Sequence, residues 1–271
     1  MRRLKILFYW MFINKNNVSF TELIQFLVKP KIGTLAKKYL DTIVEKEDYE
    51  VSFKGTDKIL YWPKTFPLNR LDQVICETFD TSDWHYYQKE HTPIEQGEIL
   101  LDIGTAEGLL SLLEVDKCKH IYMIEPGVGF YKIIQKTFAP YKDKVSIFNT
   151  AVGDEDSEIL FSEDSLDGRV AEGNEANAQK ITLRKIDTLL SNNEKITYLK
   201  ADIEGFEEEM LRGAEQTIKR NKPKIAITTY HEQNDPKDII NIIKGFVPEY
   251  NYYVKGIYEK TPKPVLIHFW I

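Results

Sequence analysis

An apolar run, Ile99-Leu100-Leu101-Asp102-Ile103, leads into Gly104-Thr105-Ala106-Glu107-Gly108. A second run, Ile121-Tyr122-Met123-Ile124, ends on Glu125-Pro126, with Glu125 23 positions after Asp102. A strand, a glycine-bearing loop, a helix and an acid closing the next strand form the arrangement by which an open parallel sheet holds a nucleoside. The glycines let the backbone approach the ligand, and the second acid takes the ribose diol. The full G-x-G-x-x-G spacing is missing, however, and Asp102 stands at the first strand end, where a carboxylate would repel a pyrophosphate. A cationic ligand suits it better. S-adenosylmethionine, with its sulfonium and ammonium groups, meets that description. Further along, Asp202 and Glu204 follow the strand 198–201, and Tyr230-His231 follow the strand 224–229. In an open α/β sheet these strand ends line one crevice, so their acids would share it.

The elements that must position these residues are legible as alternation. From Glu98 onward, strands ending at Asp102, Glu125, Asn149, Asp202 and Tyr230 are interleaved with helices over 108–115, 128–138, 207–218 and 236–246. The last helix has Asp235 as N-cap and Pro236 at its first position. Two strands without an intervening helix, 252–258 and 265–271, close the chain. The fold class is therefore α/β: a Rossmann-like, seven-stranded, mostly parallel sheet with a C-terminal antiparallel hairpin. Residues 91–271 make this domain, and 1–90 read as a small α+β cap without a chemistry motif of its own. In the cap, Ser19 and Glu22 form a capping box ahead of a helix that stops before Pro30, and 49–53 and 59–62 read as strands. Glu207, Glu208 and Glu209 are expected as a solvated first turn. His85, His91, His120 and His268 have no motif around them. Trp84 and Tyr86 read equally as a sugar-stacking platform or as core.

The chain has 271 residues, 42% hydrophobic and 12% aromatic, with a net charge of -6. This suits a folded soluble protein and argues against nucleic acid as the main partner. Through residue 40, eight basic residues face Glu22 alone, giving +7 there and -13 over the rest. The apolar segment 4–13 lacks a cleavage site and is too short to span a bilayer. It is expected as a helix packed on the body, or as one lying on a membrane surface or a protein partner. Cys76 and Cys118 are too few for a disulfide framework and fit a reducing cytoplasm as small buried hydrophobes. The expected location is cytoplasmic, with membrane association open through the basic N-terminus.

Leu101-Asp102-Ile103-Gly104-Thr105-Ala106-Glu107-Gly108, Glu125-Pro126, Lys200-Ala201-Asp202-Ile203-Glu204-Gly205 with Glu207, Leu211-Arg212-Gly213-Ala214, Pro223 and Tyr230-His231 together resemble the FkbM family of class I S-adenosylmethionine-dependent methyltransferases. The resemblance covers about residues 85–271, and Asp-Ile-Glu-Gly is its most specific part. It implies O-methylation, commonly of sugar hydroxyls in surface polysaccharides and natural products. It also implies that Asp102 to Gly108 cradle the methionine moiety, that Glu125 takes the ribose, and that Ala151-Val152 with Asp154 flank the adenine. Thr105-Ala106-Glu107 departs from the Ala-Asn-hydrophobic pattern more usual there.

Methyl transfer to a hydroxyl asks a protein to align the acceptor oxygen and to help remove its proton. Alignment can supply roughly 7 to 11 kcal/mol, and a positioned base roughly 10²- to 10⁴-fold. His231 is the first candidate base, because the unperturbed pKa of histidine lies near neutrality. Alternatively, Asp202, Glu204 and His231 hold a divalent cation that acidifies the hydroxyl. The expected partner is a small-molecule or glycan acceptor, and an oligomer is open. A nicotinamide-dependent short-chain oxidoreductase would need a Tyr-x-x-x-Lys pair, and no tyrosine here has a lysine four positions later. The remaining rival is an inactive methyltransferase fold serving as a scaffold subunit in glycan assembly.

Overall fold

The computed structural model describes residues 2–89, 91–162, 169–170, 179–190 and 194–271. Three helices open the chain: α1 (Arg2–Phe12), α2 (Phe20–Val28) and α3 (Ile32–Ala36). The capping box of α2 forms, with Ser19 and Glu22 each satisfying the other's backbone N–H at 3.2 and 2.9 Å. An antiparallel sheet follows, β1 (Leu40–Glu45), β2 (Tyr49–Phe53) and β3 (Ile59–Trp62), and then α4 (Leu68–Phe79). The sequence reading had found neither β1 nor α3 nor α4. Of β1 all but Leu40 is exposed, so it lacks the apolar alternation that marks a strand. α4 does carry the helical pattern, burying Leu71, Ile75 and Cys76.

The main sheet begins at β4 (Ile99–Ile103), followed by α5 (Leu109–Glu114), β5 (His120–Ile124), α6 (Val128–Thr137) and β6 (Val145–Phe148). A second sheet then interrupts it: β7 (Ala151–Val152), β8 (Ser157–Ser162), β9 (Arg169–Val170) and β10 (Gln179–Arg184), paired in the order β7-β10-β8-β9. The short helix α7 (Ile186–Leu189) leads back to β11 (Tyr198–Ala201), and α8 (Glu207–Gly213), α9 (Glu215–Asn221) and β12 (Lys224–Thr228) follow. The chain closes with α10 (Pro236–Phe246), β13 (Asn251–Lys255) and β14 (Leu266–Trp270). The seven strands run β13-β14-β12-β11-β4-β5-β6, and β14 alone opposes its neighbours in direction. The expected seven-stranded, mostly parallel sheet is present.

The single helix expected over 207–218 is two helices. Gly213 ends the first against the backbone of Gly153, and the Asp187 carboxylate accepts from the amides of Gln216 and Thr217 at 2.9 and 2.8 Å, capping the second. The cap residues do not form a core of their own. One apolar cluster runs from Ile6, Leu23, Trp62 and Ile75 into Leu100, Ile121 and Met123 on one face of the sheet, and a second fills the other face. Cys76 and Cys118 are free and buried, and burial pushes both thiols up to about 12.

A Cβ on Gly213 would lie 1.9 Å from the Gly153 carbonyl oxygen, a backbone atom that cannot swing aside. Gly213→Ala is expected to lose about 2 kcal/mol by overpacking. Gly245→Ala, in open space on α10, is expected to be neutral or to gain up to about 1 kcal/mol. Urea melts of the two variants check this, and equal stabilities would contradict the packing.

Candidate functional site

The carboxyl ends of β4, β5, β11 and β12 place the predicted residues together. Asp102 and Lys200 are register partners on β4 and β11, and the Lys200 ammonium lies 3.0 Å from Asp102 Oδ1 with both side chains buried. Ser111 donates to Asp102 Oδ2 at 2.6 Å. The cation that Asp102 called for is thus supplied in the first instance by the protein. Lys200 also donates to the Gly104 carbonyl at 2.5 Å, and its ammonium sits 5.4 Å from the centre of the Tyr87 ring. Burial opposes its charge, but Asp102 and Asp202 outweigh burial and hold its pKa above the ordinary lysine value.

The loop after β4 turns through the left-handed region at Gly104 (φ +67), Ala106 (φ +49) and Gly108 (φ +86). A Cβ on Gly104 would sit 1.8 Å from the Asp202 carbonyl oxygen, so no other residue fits there. Glu125 is buried and grips this loop: Oε2 accepts from the Ala106 amide at 2.9 Å, and Oε1 accepts from the Gly127 amide at 2.7 Å. Glu125 thus builds the loop by holding one of its backbone amides together with one from the segment after β5. Thr105 donates to the Asp102 carbonyl, and Glu107 is buried beside the loop, accepting from the Leu109 amide at 3.2 Å. The side chain of Asn149 donates at 2.9 Å to the carbonyls of Glu125 and Pro126. Ala151, Val152 and Asp154 lie on or just after β7, with Val152 in the core and Asp154 exposed, outside the cavities described below.

The acids around His231 are more tightly organised than the sequence suggested. Glu207, expected to be solvated, has no exposure at all. Its Oε1 accepts from the Ile203 amide, Thr228 Oγ1 and His231 Nδ1 at 3.1, 3.0 and 2.8 Å. Its Oε2 accepts from the Gly205 amide at 2.9 Å and from Asn234. His231 Nε2 lies 3.2 Å from Glu204 Oε2 and 3.7 Å from Asp202 Oδ1. Burial lowers the pKa of His231, but the hydrogen bond and charge of Glu207, with Asp202 and Glu204 behind it, raise it to about 9. The three carboxylates thus favour the charged ring over the free base with an ordinary pKa that the sequence suggests.

Two residues the sequence reading passed over complete the site. The Tyr87 hydroxyl donates to Asp202 Oδ2 at 2.8 Å, and His85 Nε2 lies 3.5 Å from the same oxygen and 3.3 Å from the Tyr230 hydroxyl. Burial pushes the Asp202 carboxyl up, yet His85, His231 and Lys200, with the Tyr87 hydrogen bond, hold it below the ordinary carboxylate range. Both histidine and tyrosine precede β4, and their only sequence signal is the aromatic run Trp84-His85-Tyr86-Tyr87. Trp84 lines the larger of two cavities, stacked on Phe26 at 4.6 Å, whereas Tyr86 lines neither. The smaller cavity, about 130 Å³, is bounded by Gly104 to Glu107, Lys200 and Asp202. The larger, about 590 Å³, lies over Tyr230, His231 and Tyr258.

The sequence profile of the methyltransferase FkbM domain matches residues 102–254. No curated protein matches. Among solved structures, methyltransferase FkbM from Methylobacillus flagellatus KT aligns with a TM-score of 0.53 at 21% identity, over 76% of this chain and 56% of that one. This chain thus spans little more than half of that protein's length. Trm5b from Pyrococcus abyssi aligns at 13% identity and a TM-score of 0.42, over 85% of this chain and 61% of that one. Precorrin-6y C5,15-methyltransferase from Geobacter metallireducens GS-15 aligns at 10% identity and a TM-score of 0.40, over 65% and 82%.

The burial of Glu107 has a pH signature. Burial raises its carboxyl from the ordinary 4.5 to about 7, against its backbone hydrogen bonds and Lys200, with Asp102 adding to the rise. The folded chain therefore keeps a proton that the unfolded chain releases, and stability falls as pH climbs from 4.5 to 7. Glu107→Gln is expected to abolish that loss. Urea melts at pH 8 should find the variant more stable than wild type by about 3 kcal/mol, and melts at pH 4 should find little difference. A variant no more stable at pH 8 would contradict a protonated Glu107.

Proposed function

The chain belongs to the FkbM methyltransferase family, and on that premise we propose that it is an S-adenosylmethionine-dependent O-methyltransferase acting on a hydroxyl of a sugar or glycoconjugate. The observation that carries the reading is the junction of the two cavities, whose walls share Arg70, Gln73, Glu77, His85, Glu204 and Tyr230. A donor in the loop cavity and an acceptor in the larger one would meet at that junction. The residues suit a cationic nucleoside ligand: Asp202 borders the loop cavity together with Gly104 to Glu107, and Glu125, the acid the family places on the ribose, grips the same loop. Ala151, Val152 and Asp154 are the residues the family places beside the adenine.

When bound, S-adenosylmethionine supplies a methyl group already activated on a sulfonium. The chain's own work is to orient the acceptor and take its proton. His85 is the group we assign to that step. It lines both cavities, and Asp202, fixed by Tyr87 and by the Thr228 hydroxyl at 3.1 Å, would stabilise the imidazolium it forms. The larger cavity suits a sugar, since Trp84 and the stacked pair Tyr230 and Tyr258 offer ring faces, and Arg70, Gln73 and Glu204 offer polar contacts.

A second reading rests on one atom. His231 Nε2 is buried and makes no hydrogen bond, although two carboxylates face it. One potential ligand atom from each of Asp202, Glu207 and His231 lies within 4.8 Å of the others. A divalent cation displacing the Nε2 proton would draw on the Asp202 and Glu204 oxygens facing that atom, and Glu207 on Nδ1 would be the carboxylate that fixes the ring.

Calorimetry of S-adenosylmethionine binding, with turnover on a panel of glycans, tests the function. Micromolar binding is expected for wild type, falling at least about tenfold in Glu125→Ala through loss of charged hydrogen bonds to ribose. His85→Ala should keep the binding and lose roughly 10²- to 10⁴-fold in turnover. Folded wild type without binding would overturn the reading and put the scaffold alternative in front. For the cation, manganese titration followed by electron paramagnetic resonance should show a site that His231→Ala removes. No such site, with turnover indifferent to EDTA, would sink the second reading.

A further inference from the structure

The two N-terminal helices present apolar side chains that nothing in the fold covers. On α1, Leu4, Phe8, Met11 and Phe12 recur at i, i+4, i+7 and i+8 and are 52 to 69% exposed, opposite the buried Ile6. On α2, Phe20, Ile24 and Val28 recur at i, i+4 and i+8 and are 42 to 71% exposed. These are not frayed ends. The Arg3 guanidinium donates to the carbonyls of Leu27 and Lys29, the Trp10 ring nitrogen donates to the Val18 carbonyl at 2.7 Å, and Trp10 and Phe20 sit 6.1 Å apart. The pair is in turn fastened to the body, with Asn16 and Asn17 bonded to the carbonyls of Pro262 and Val254, and Arg2 paired with Glu259. Both stripes are therefore held out to solvent by a fixed scaffold.

The charge of the segment that carries the stripes is mostly of one sign, eight basic residues against Glu22 through residue 40. Among the described residues, Lys5, Lys15, Lys31, Lys37 and Lys38 are exposed and have no carboxylate partner, and Glu22, the one acid before residue 41, is paired with Lys255. The remaining 231 residues carry the opposite charge, -13. We propose that α1 and α2 form a docking face for the surface of an anionic lipid bilayer, with the phenylalanines and leucine entering the headgroup boundary and the lysines meeting lipid phosphates. A protein partner fits less well, because lysine is depleted from the buried centres of protein interfaces. Among the described residues no helix is long and apolar enough to cross a membrane.

The larger cavity takes Arg2, Ile6 and Phe26 from the sides of α1 and α2 turned away from the stripes, and Ile32 from α3. The docking does not rest on the proposed function.

The test is sedimentation of the full chain with vesicles of phosphatidylcholine alone and of phosphatidylcholine mixed with phosphatidylglycerol. Wild type should partition onto the mixed vesicles, more weakly at high salt, and at least about tenfold less onto the neutral ones. The double variant Phe8→Ser with Phe12→Ser should lose about tenfold or more while keeping its circular dichroism and its S-adenosylmethionine affinity. Replacing Lys5, Lys31, Lys37 and Lys38 by glutamine should lose a similar factor. No partition of folded wild type, or equal partition onto both vesicles, overturns the proposal. So does a dimer in analytical ultracentrifugation that Phe8→Ser with Phe12→Ser dissociates, since a second copy would then be the occupant. Because S-adenosylmethionine binding is measured on the same samples, failure of the docking is distinguishable from failure of the cofactor reading.

Discussion

The buried ammonium of Lys200 is the charge on which the strand-end acids depend. Asp102 is buried on β4, and Asp202 follows the end of neighbouring β11; two carboxylates brought so near one another without a cation would destabilise the fold. Lys200, 3.0 Å from Asp102 Oδ1, supplies that cation, and its charge acts also on Asp202 together with His85 and His231. Removing one member of such a pair is typically worth about 3 to 5 kcal/mol, because the other is left charged and uncompensated. The same ammonium holds the Gly104 carbonyl, so the cofactor loop is fixed by the group that makes its acids tolerable. Stability and site geometry therefore have a common origin at this residue.

A second layer of organisation follows from backbone conformation. Gly104, Ala106 and Gly108 turn one loop through left-handed conformations, and Glu204 (φ +54) and Gly205 (φ +106) turn the other. Left-handed geometry at a residue with a side chain, as at Ala106 and Glu204, is uncommon and persists where surrounding bonds over-determine it. Those bonds come from acids: Glu125 takes the Ala106 amide, and Glu207 takes the amides of Ile203 and Gly205. Glu125 and Glu207 are thus equivalent in construction, each a buried carboxylate folding the loop at a strand end. Glu207 also binds Thr228, His231 and Asn234, so it ties its loop to β12 and the segment after it.

The sheet and its strand-end acids were legible because apolar strands and amphipathic helices have periods that survive in sequence, and because the loop between Asp102 and Gly108 has a chemical reason for each glycine. What was not legible shares one property: its signal is three-dimensional. Glu207 reads as the first of three glutamates in a solvated turn, and only the packing of β12 and the segment after it reveals that it is enclosed while Glu208 and Glu209 are not. The protonation of His231 follows from three carboxylates brought in from positions 202, 204 and 207, whose summed effect no single spacing expresses. The β8–β10 insertion and the exposed β1 are short or weakly patterned, so neither announces itself.

His85 and Tyr87 show why residues before the family match matter to chemistry. The match begins at Asp102, and the cofactor loop lies wholly inside it. The larger cavity does not: most of its wall comes from residues before 86 and after 256, including Arg70, Trp84, His85, Ile257 and Tyr258. The core gives the physical reason that this is workable. One apolar cluster is continuous from Ile6 to Met123, so the N-terminal helices are packed onto the same core as the sheet. A wall built from such elements can be rebuilt residue by residue without disturbing Lys200, Glu125 or the glycine loop beneath it. The loop cavity and the larger cavity are therefore built by different parts of this chain, and the two parts meet at Asp202, which lines the loop cavity and is held by Tyr87 and approached by His85 from outside the matched segment.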